Sequence, residues 1–356
     1  MVYLYMNSGI QRKLLISSFN SIPMRALTKQ SFLLLLIVSI ILNLPHAKAQ
    51  GELDEFLRAG LGDANKLTTG YLSPLMEAAG VGLANGWYNT AKPHKTAGFD
   101  LTLSVNSVYI PESRKFYDLL ALDLQSIEPV GNSEAPTFFG PDTAPEYRLL
   151  DDPSITFSGP PGIDMQKNLG VNFVPIPTLN LGIGIVKNTD LRLRYVPGSI
   201  VNSEDFSFNM FGVGVMHDVK QHIPGIKLLP FDLSFFAAYT RSNMSFALGG
   251  EIPGSDQRAE INFNSITIQG LVSKQISVLT GYAGIGYNIV RSNFGMFGEY
   301  EIDSNTFVDP ISFDATASGL RATAGMRLKL AILTLHADYT VQQFNVLTVG
   351  LGFSVR

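Results

Sequence analysis

The feature that most constrains this chain is a strict two-residue alternation near its C-terminus. Leu320, Ala322, Ala324, Met326 and Leu328 alternate with Arg321, Thr323, Gly325, Arg327 and Lys329. Leu333, Leu335, Ala337 and Tyr339 then alternate with Thr334, His336, Asp338 and Thr340. Leu347, Val349, Leu351, Phe353 and Val355 alternate in turn with Thr348, Gly350, Gly352 and Ser354. Successive strand residues point to opposite faces, so each run has one apolar face and one face of charge, hydroxyl and glycine. The period alone fits a soluble sandwich as well as a membrane barrel. What separates the two is where the chain is sent and how its strands are joined.

Met24 opens a secretory pattern. Arg25 and Lys29 form a basic n-region, Phe32 to Leu42 an apolar h-region, and Ala47-Lys48-Ala49 a small-x-small cleavage site. The apolar run falls short of the ~20 residues that a spanning helix needs. Removal of residues 1–49, which carry five basic residues and no acidic one, leaves 21 basic against 30 acidic residues, a formal charge of −9. With no basic cluster to meet phosphates, a nucleic-acid partner is not expected. Cysteine is absent, which excludes disulfides, thiolate metal sites and a lipid-modified N-terminal cysteine. The chain is nevertheless 46% hydrophobic, with 33 Gly, 23 Phe and 13 Tyr, and after the signal it has no long apolar run. In lipid every backbone N–H and C=O must be paired, so only helices and closed barrels span. The expected fold is all-β: a transmembrane antiparallel β-barrel of about 12 (12–14) strands with a short N-terminal helical plug, in the bacterial outer membrane.

Strands are expected near 78–90, 99–110, 114–124, 178–186, 190–197, 204–217, 231–246, 259–272, 276–290, 318–329, 332–341 and 345–355. Pro111-Glu112-Ser113, Lys187-Asn188-Thr189, Ser273-Lys274-Gln275 and Leu330-Ala331 read as tight turns. Residues 125–177, 198–203, 247–258 and 291–317 read as longer polar loops. Short turns at one end and long loops at the other are the outer-membrane pattern. The stretches 204–217 and 259–272 change phase midway; a β-bulge near Phe211 would repair the first of them, and a strand boundary placed elsewhere would do so equally. Tyr109, Phe116, Tyr195, Phe231, Tyr239, Tyr287, Tyr339 and Phe353 sit toward strand ends, as interfacial girdles do, though β-propensity alone would also put them in strands.

The segment 50–77 differs. Leu53, Phe56 and Leu57, and again Leu72, Leu75 and Met76, have helical spacing around Gly60-Leu61-Gly62-Asp63, so two short helices are expected to occupy or cap the lumen and gate it. Glu52, Asp54 and Glu55 are placed to pair with Arg321 and Arg327. By strand phase, Asp190, Arg192, Arg194, Arg321, Arg327, Lys329, His336 and Asp338 face the lumen, as do Asp100, Thr102, Ser104 and Asn106. They would orient a passing solute or form ion-pair ladders that stiffen the wall and hold the plug. Trp87 and Tyr88, in the run Trp87 to Lys95, read as an interfacial anchor. His217 and His222 are five apart, which does not place them on one helical face, so no metal site is expected there and no cofactor anywhere. No Ser and His lie together beside a third polar residue on an outward face, so catalysis is not expected.

Gly60 to Leu67, Gly86 to His94 and Leu229-Pro230-Phe231-Asp232-Leu233-Ser234 resemble an uncharacterised outer-membrane β-barrel family common in Bacteroidetes. More loosely, the architecture is similar to the FadL-like hydrophobic-compound transport barrels. That resemblance implies an N-terminal hatch inside the barrel and passage of a small hydrophobic solute. The chain departs from that group in its strand count and in ending on Phe353-Ser354-Val355-Arg356. The expected partition is 1–49 signal peptide, 50–77 plug and 78–356 barrel. The expected function is a channel or transporter. The rival is a structural or adhesive barrel that does not transport. Outer-membrane lipid is a partner in either case.

Overall fold

The computed structural model describes residues 56–57, 60–196, 198, 202–203, 205–248, 253–302 and 305–355. Residues 1–55, which include the expected signal segment and Glu52, Leu53, Asp54 and Glu55, lie outside them. Ten antiparallel strands close a ring: β1 (Phe99–Tyr109), β7 (Phe173–Gly184), β8 (Thr189–Val196), β9 (Phe206–Asp218), β10 (Asp232–Ala247), β11 (Gly254–Ile276), β12 (Leu279–Ile302), β15 (Gly319–Leu330), β16 (Leu333–Val341) and β17 (Val346–Val355). The seam joins β1 to β17, with Phe99 opposite Val355 and Val108 opposite Val346. β13 (Asn305–Val308) and β14 (Ile311–Thr316) belong to the same sheet but pair only with the far half of β12. The sheet thus has twelve strands, of which ten form the wall. Among the described residues no helix is long and apolar enough to cross a membrane.

Two expected strands are not wall strands. Residues 78–90 alternate small and larger side chains, but this is the end of a helix, α1 (Leu61–Leu83), and the coil that follows it. Residues 114–124 hold a 3-10 turn and the three-residue β2 (Phe116–Asp118). Pro111-Glu112-Ser113 therefore joins no pair of wall strands. It opens a long excursion with two small sheets: β2 with β4 (Glu134–Pro136), and β3 (Ile127–Pro129) with β5 (Glu146–Leu149) and β6 (Thr156–Ser158). We call this excursion, residues 110–172, the cap. With it assigned, the connections alternate. β7–β8, β11–β12 and β15–β16 join at one end, the turn end, where Phe99 and Val355 also lie. The cap and the β13–β14 excursion lie at the other, the loop end.

The wall strands are of unequal length, and this explains the apparent phase changes. β9 pairs with β10 in unbroken register from Phe206 to Asp218, so no bulge sits at Phe211. Instead the polarity of the two faces inverts along the strand. On the turn-end half of β11, Ser265, Thr267 and Gln269 point inward and are buried, while Ile266, Ile268 and Val272 are exposed outward. On its loop-end half, Ala259, Ile261 and Phe263 are the buried inward residues, and the outward ones are Glu260, Asn262 and Asn264. β10 and β12 invert at the same level: the pairing aligns Tyr239, Ile266 and Ile289 in one row, Arg241, Asn264 and Arg291 in the next, and Asn243, Asn262 and Asn293 above that. Below the inversion, apolar side chains circle the outside of all ten strands. On β12 this run spans Leu279 to Ile289, 11 residues. At ~3.3 Å per residue and a tilt near ~45°, that is roughly 25 Å of height, the span of a lipid-facing band. Tyr109, Tyr195, Tyr239 and Tyr287 ring its loop-end edge, and all four are exposed.

Candidate functional site

The lumen is occupied from end to end. α1 starts at the loop end and runs inward. Gly60, at φ 80, marks its first turn, and the Asp63 carboxylate accepts from the backbone N–H groups of Gln125 (2.9 Å) and Ser126 (2.7 Å) in the cap. Phe56 and Leu57 are helical and buried, with Phe56 set edge-on to Tyr147 at 6.2 Å. Leu72 and Met76 are buried, and Leu75 packs against the same core. Asn65 bridges to the β13–β14 excursion through Pro310 O (3.2 Å) and Ser312 N (3.0 Å). Glu77 meets Arg114 at 3.3 Å and Gln343 at 3.2 Å. Burial raises the Glu77 carboxyl above its ordinary range while Arg114 pulls it back. Within the cap, burial holds the Tyr117 phenol well above its usual range and pushes Tyr147 up to about 12. The loop-end half of α1 is thus part of one apolar core with the cap and the long wall strands.

The inner end of α1 meets a polar collar. The last carbonyls of a helix have no intrahelical partner and carry its negative dipole end. Here two arginines from different parts of the ring supply the missing donors. Arg194 on β8 donates to Leu83 O, to Asn85 O (2.7 Å) and to Asn180 Oδ1 (2.8 Å), and its guanidinium lies 4.1 Å from the centre of the Trp87 ring. Arg321 on β15 donates to Ala84 O (3.3 Å), Asn85 Oδ1 (2.5 Å) and Asn288 Oδ1 (3.0 Å). Asn106 reaches Gly82 O (3.1 Å) and Asn180 reaches Gly86 O (2.8 Å). Gly86 turns the chain away at φ 72, and a Cβ there would lie 2.7 Å from Asn106 Oδ1. The alternation Ala78, Gly80, Gly82 that mimics a strand thins the helix on opposite sides: a Cβ on Gly80 would meet Val290 Cγ1 on β12, and one on Gly82 would lie 2.5 Å from Ile176 Cγ1 on β7. Gly82→Val is expected to overpack this contact by ~1–3 kcal/mol, read as a lower urea midpoint of the folded gel band.

Below the collar, Trp87, Tyr88 and Ala91 pack with Met216, Phe236, Leu271 and Tyr282. Trp87 and Tyr88 are therefore lumen residues, 2% and 7% exposed, and not an interfacial anchor. The wall offers them buried apolar partners, and Trp87 seats against Gly212, where a Cβ would lie 2.8 Å from its ring. At the turn end a second set of contacts ties the coil. Asp190 accepts from the His94 backbone (2.7 Å), pairs with His94 Nδ1 (2.9 Å) and meets Arg192 (3.2 Å), which also donates to Trp87 O (2.9 Å). Ser234 donates to Ala91 O at 2.6 Å.

The eight lumen candidates all lie on inward faces, but they divide. Asp190, Arg192, Arg194 and Arg321 grip the plug. Asp338 accepts from Tyr282 (2.7 Å), Lys329 reaches Ser354 (3.3 Å), and Arg327 and His336 lie in register beside each other on β15 and β16. Arg321 binds the end of α1 and Asn288, and the acidic residues expected to meet it lie outside the described residues. Asn85, His94, Asn180 and Asn288 were not singled out by strand phase as plug contacts. His94 does fall in the distinctive run Trp87 to Lys95. His217 and His222 come together despite their spacing, Nε2 to Nε2 at 2.9 Å, because the first ends β9 and the second sits in the 3-10 turn after it. Among the described residues no group of three or more His, Cys, Asp or Glu could hold a metal ion.

A sequence model described as a family of unknown function (DUF6588) matches residues 28–355. No curated protein matches. Among solved structures, Ail, the attachment invasion locus protein of Yersinia pestis, is 8% identical over 73% of this chain and 98% of its own, with a TM-score of 0.26. The translocator domain of autotransporter NalP from Neisseria meningitidis is 9% identical over 79% and 93%, at 0.30. The outer membrane protease OmpT from Escherichia coli is 8% identical over 72% and 95%, also at 0.30. Similarity this low adds nothing to what the strand pairing establishes.

Proposed function

We propose that this chain, which belongs to the DUF6588 family of unknown function, is an outer-membrane barrel that is closed at rest and holds a rigid cap on the outside of the cell. Two observations support the membrane placement. The ring is closed, so none of its ten wall strands is left as an open edge within the band, and the outward faces carry an apolar band of the right height. The inversion of polarity on β10, β11 and β12 then marks where wall leaves lipid: past it, the interior is packed like a soluble core and the exterior is polar.

The closed state rests on the arginine collar. The end of α1 is bound from two separate strands of the ring by Arg194 and Arg321, and its beginning is built into the core of the cap. A plug held at both ends supports the reading as a structural surface module over that of an open pore. The protein refolded in detergent is expected to migrate anomalously on a gel until boiled, and in planar bilayers to be silent. Identical migration before and after boiling would remove the barrel, and stepwise conductance of the unmodified protein would remove the closed state.

Transport of a small solute, which the FadL-like resemblance implies, is the second reading. One observation favours it: Ser104, Thr334 and His336 are buried in the lumen wall with side-chain polar atoms that find no hydrogen-bond partner among the described residues. Such groups suit a route for water or a polar solute once the plug shifts. Uptake of small solutes by vesicles holding the unmodified protein would put this reading first.

A further inference from the structure

We propose that the outer rim of the β10–β12 wall is a binding site for the phosphate of an anionic lipid; this rests on the membrane placement above. The strand pairing sets Arg241, Asn264 and Arg291 side by side on three adjacent strands. Their inward neighbours Thr240, Ser242, Phe263, Ser265, Val290 and Ser292 are all buried, so the three side chains of the row point out. The row just below is Tyr239, Ile266 and Ile289, the last of the apolar band. These arginines therefore stand at the height where a lipid's hydrocarbon ends and its headgroup begins.

The row is chemically matched to a phosphate. The Tyr239 hydroxyl donates to Asn264 Oδ1 (2.8 Å), which fixes the amide and leaves its nitrogen as a donor between the two guanidinium groups. Strands lie about 4.8 Å apart, so the two arginines stand roughly 10 Å apart and can converge over Asn264. Both are exposed, and neither has a hydrogen bond or ion pair among the described residues. The neighbouring acid, Asp314 on β14, is one row higher and accepts from Asn293 at 3.0 Å. Opposite Arg291 on that strand is Thr316, and opposite Arg241 on β9 is Phe211. An arginine fork with an amide donor beside it is the arrangement that suits planar, multidentate recognition of phosphate. An unpaired cation pair would otherwise have no counterpart at the edge of an apolar band.

The test uses full-length protein and an Arg241→Gln/Arg291→Gln variant, refolded into vesicles of phosphatidylcholine alone or mixed with phosphatidylglycerol. Folding is scored by gel migration, and lipid retained after detergent extraction by native mass spectrometry. The unmodified protein is expected to fold in both and to retain phosphatidylglycerol over phosphatidylcholine by on the order of tenfold, the preference fading as salt shortens the screening length. The double variant is expected to fold equally well and retain both lipids alike. If the unmodified protein folds in neither vesicle, the membrane placement itself fails. If it folds but shows no preference, the lipid site alone is overturned, as it is if the double variant keeps the preference. Displacement of the bound lipid by millimolar inorganic phosphate would reassign the row to free anions.

Discussion

Arg194→Ala combined with Arg321→Ala is expected to convert a silent barrel into a conducting one. Each side chain satisfies backbone carbonyls at the buried end of α1, and removing either leaves polar groups that cannot reach water. Leaving a buried acceptor without its donor typically lowers stability by ~1–3 kcal/mol. The loss at Arg194 should be the larger, because Trp87 also loses the cation above its ring. The two changes act on one helix end, so their effects should not simply add. The readouts are a lower urea midpoint and the appearance of current steps in planar bilayers. Arg194→Lys should recover only part of the loss, since an ammonium cannot reproduce the planar fork that reaches Leu83, Asn85 and Asn180 together. A double variant that stays silent and unfolds at the same urea concentration as the parent would show that the collar does not hold the plug.

Val349→Arg is expected to be the most damaging single change on the outer wall. Val349 is 53% exposed, sits between Val105 on β1 and Ala337 on β16, and lies in the middle of the apolar band. A cation at the centre of a lipid-facing strand costs ~2–4 kcal/mol. Asn262→Arg is the matched control: it is also an outward wall position, but two rows past the last apolar one. The cost there should be limited to the side-chain hydrogen bond that Asn262 accepts from Asn243, about 1 kcal/mol. Equal effects of the two substitutions on the folded fraction in vesicles would mean that the polarity inversion does not mark the lipid boundary.

The C-terminal hairpins were legible in the sequence because one rule governs their whole length: lipid outside, polar lumen inside. Strands β9 and β11 obey that rule only below the inversion. Above it, Phe208, Ile261 and Phe263 turn toward α1 and the cap while Asn262 and Asn264 turn to water, so a continuous strand looks like two strands out of phase. A bulge is the natural repair when only one environment is considered. Helix and strand were confused at Ala78 to Leu83 for a related reason. Alternating small residues suit a helix squeezed against a wall as well as a strand, and the wall is invisible in the local sequence. The cap escaped notice because its strands are three or four residues long, below the length at which periodicity carries information. The inward set was readable from phase alone. Which of its members hold the plug was not, since that depends on backbone carbonyls, which no side-chain pattern records.

The direction of the thread through the ring bears on assembly. The described chain enters at the loop end with Phe56 and Leu57, descends through the lumen, and only at Phe99 begins the first wall strand, which pairs with the last. Closing the seam therefore requires the final residues of the chain to find the first strand while the segment before it already lies inside. The collar side chains thus have a temporal meaning as well as a static one. They come from β8 and β15, on either side of the seam, and meet at one helix end only when the sheet has curled around it.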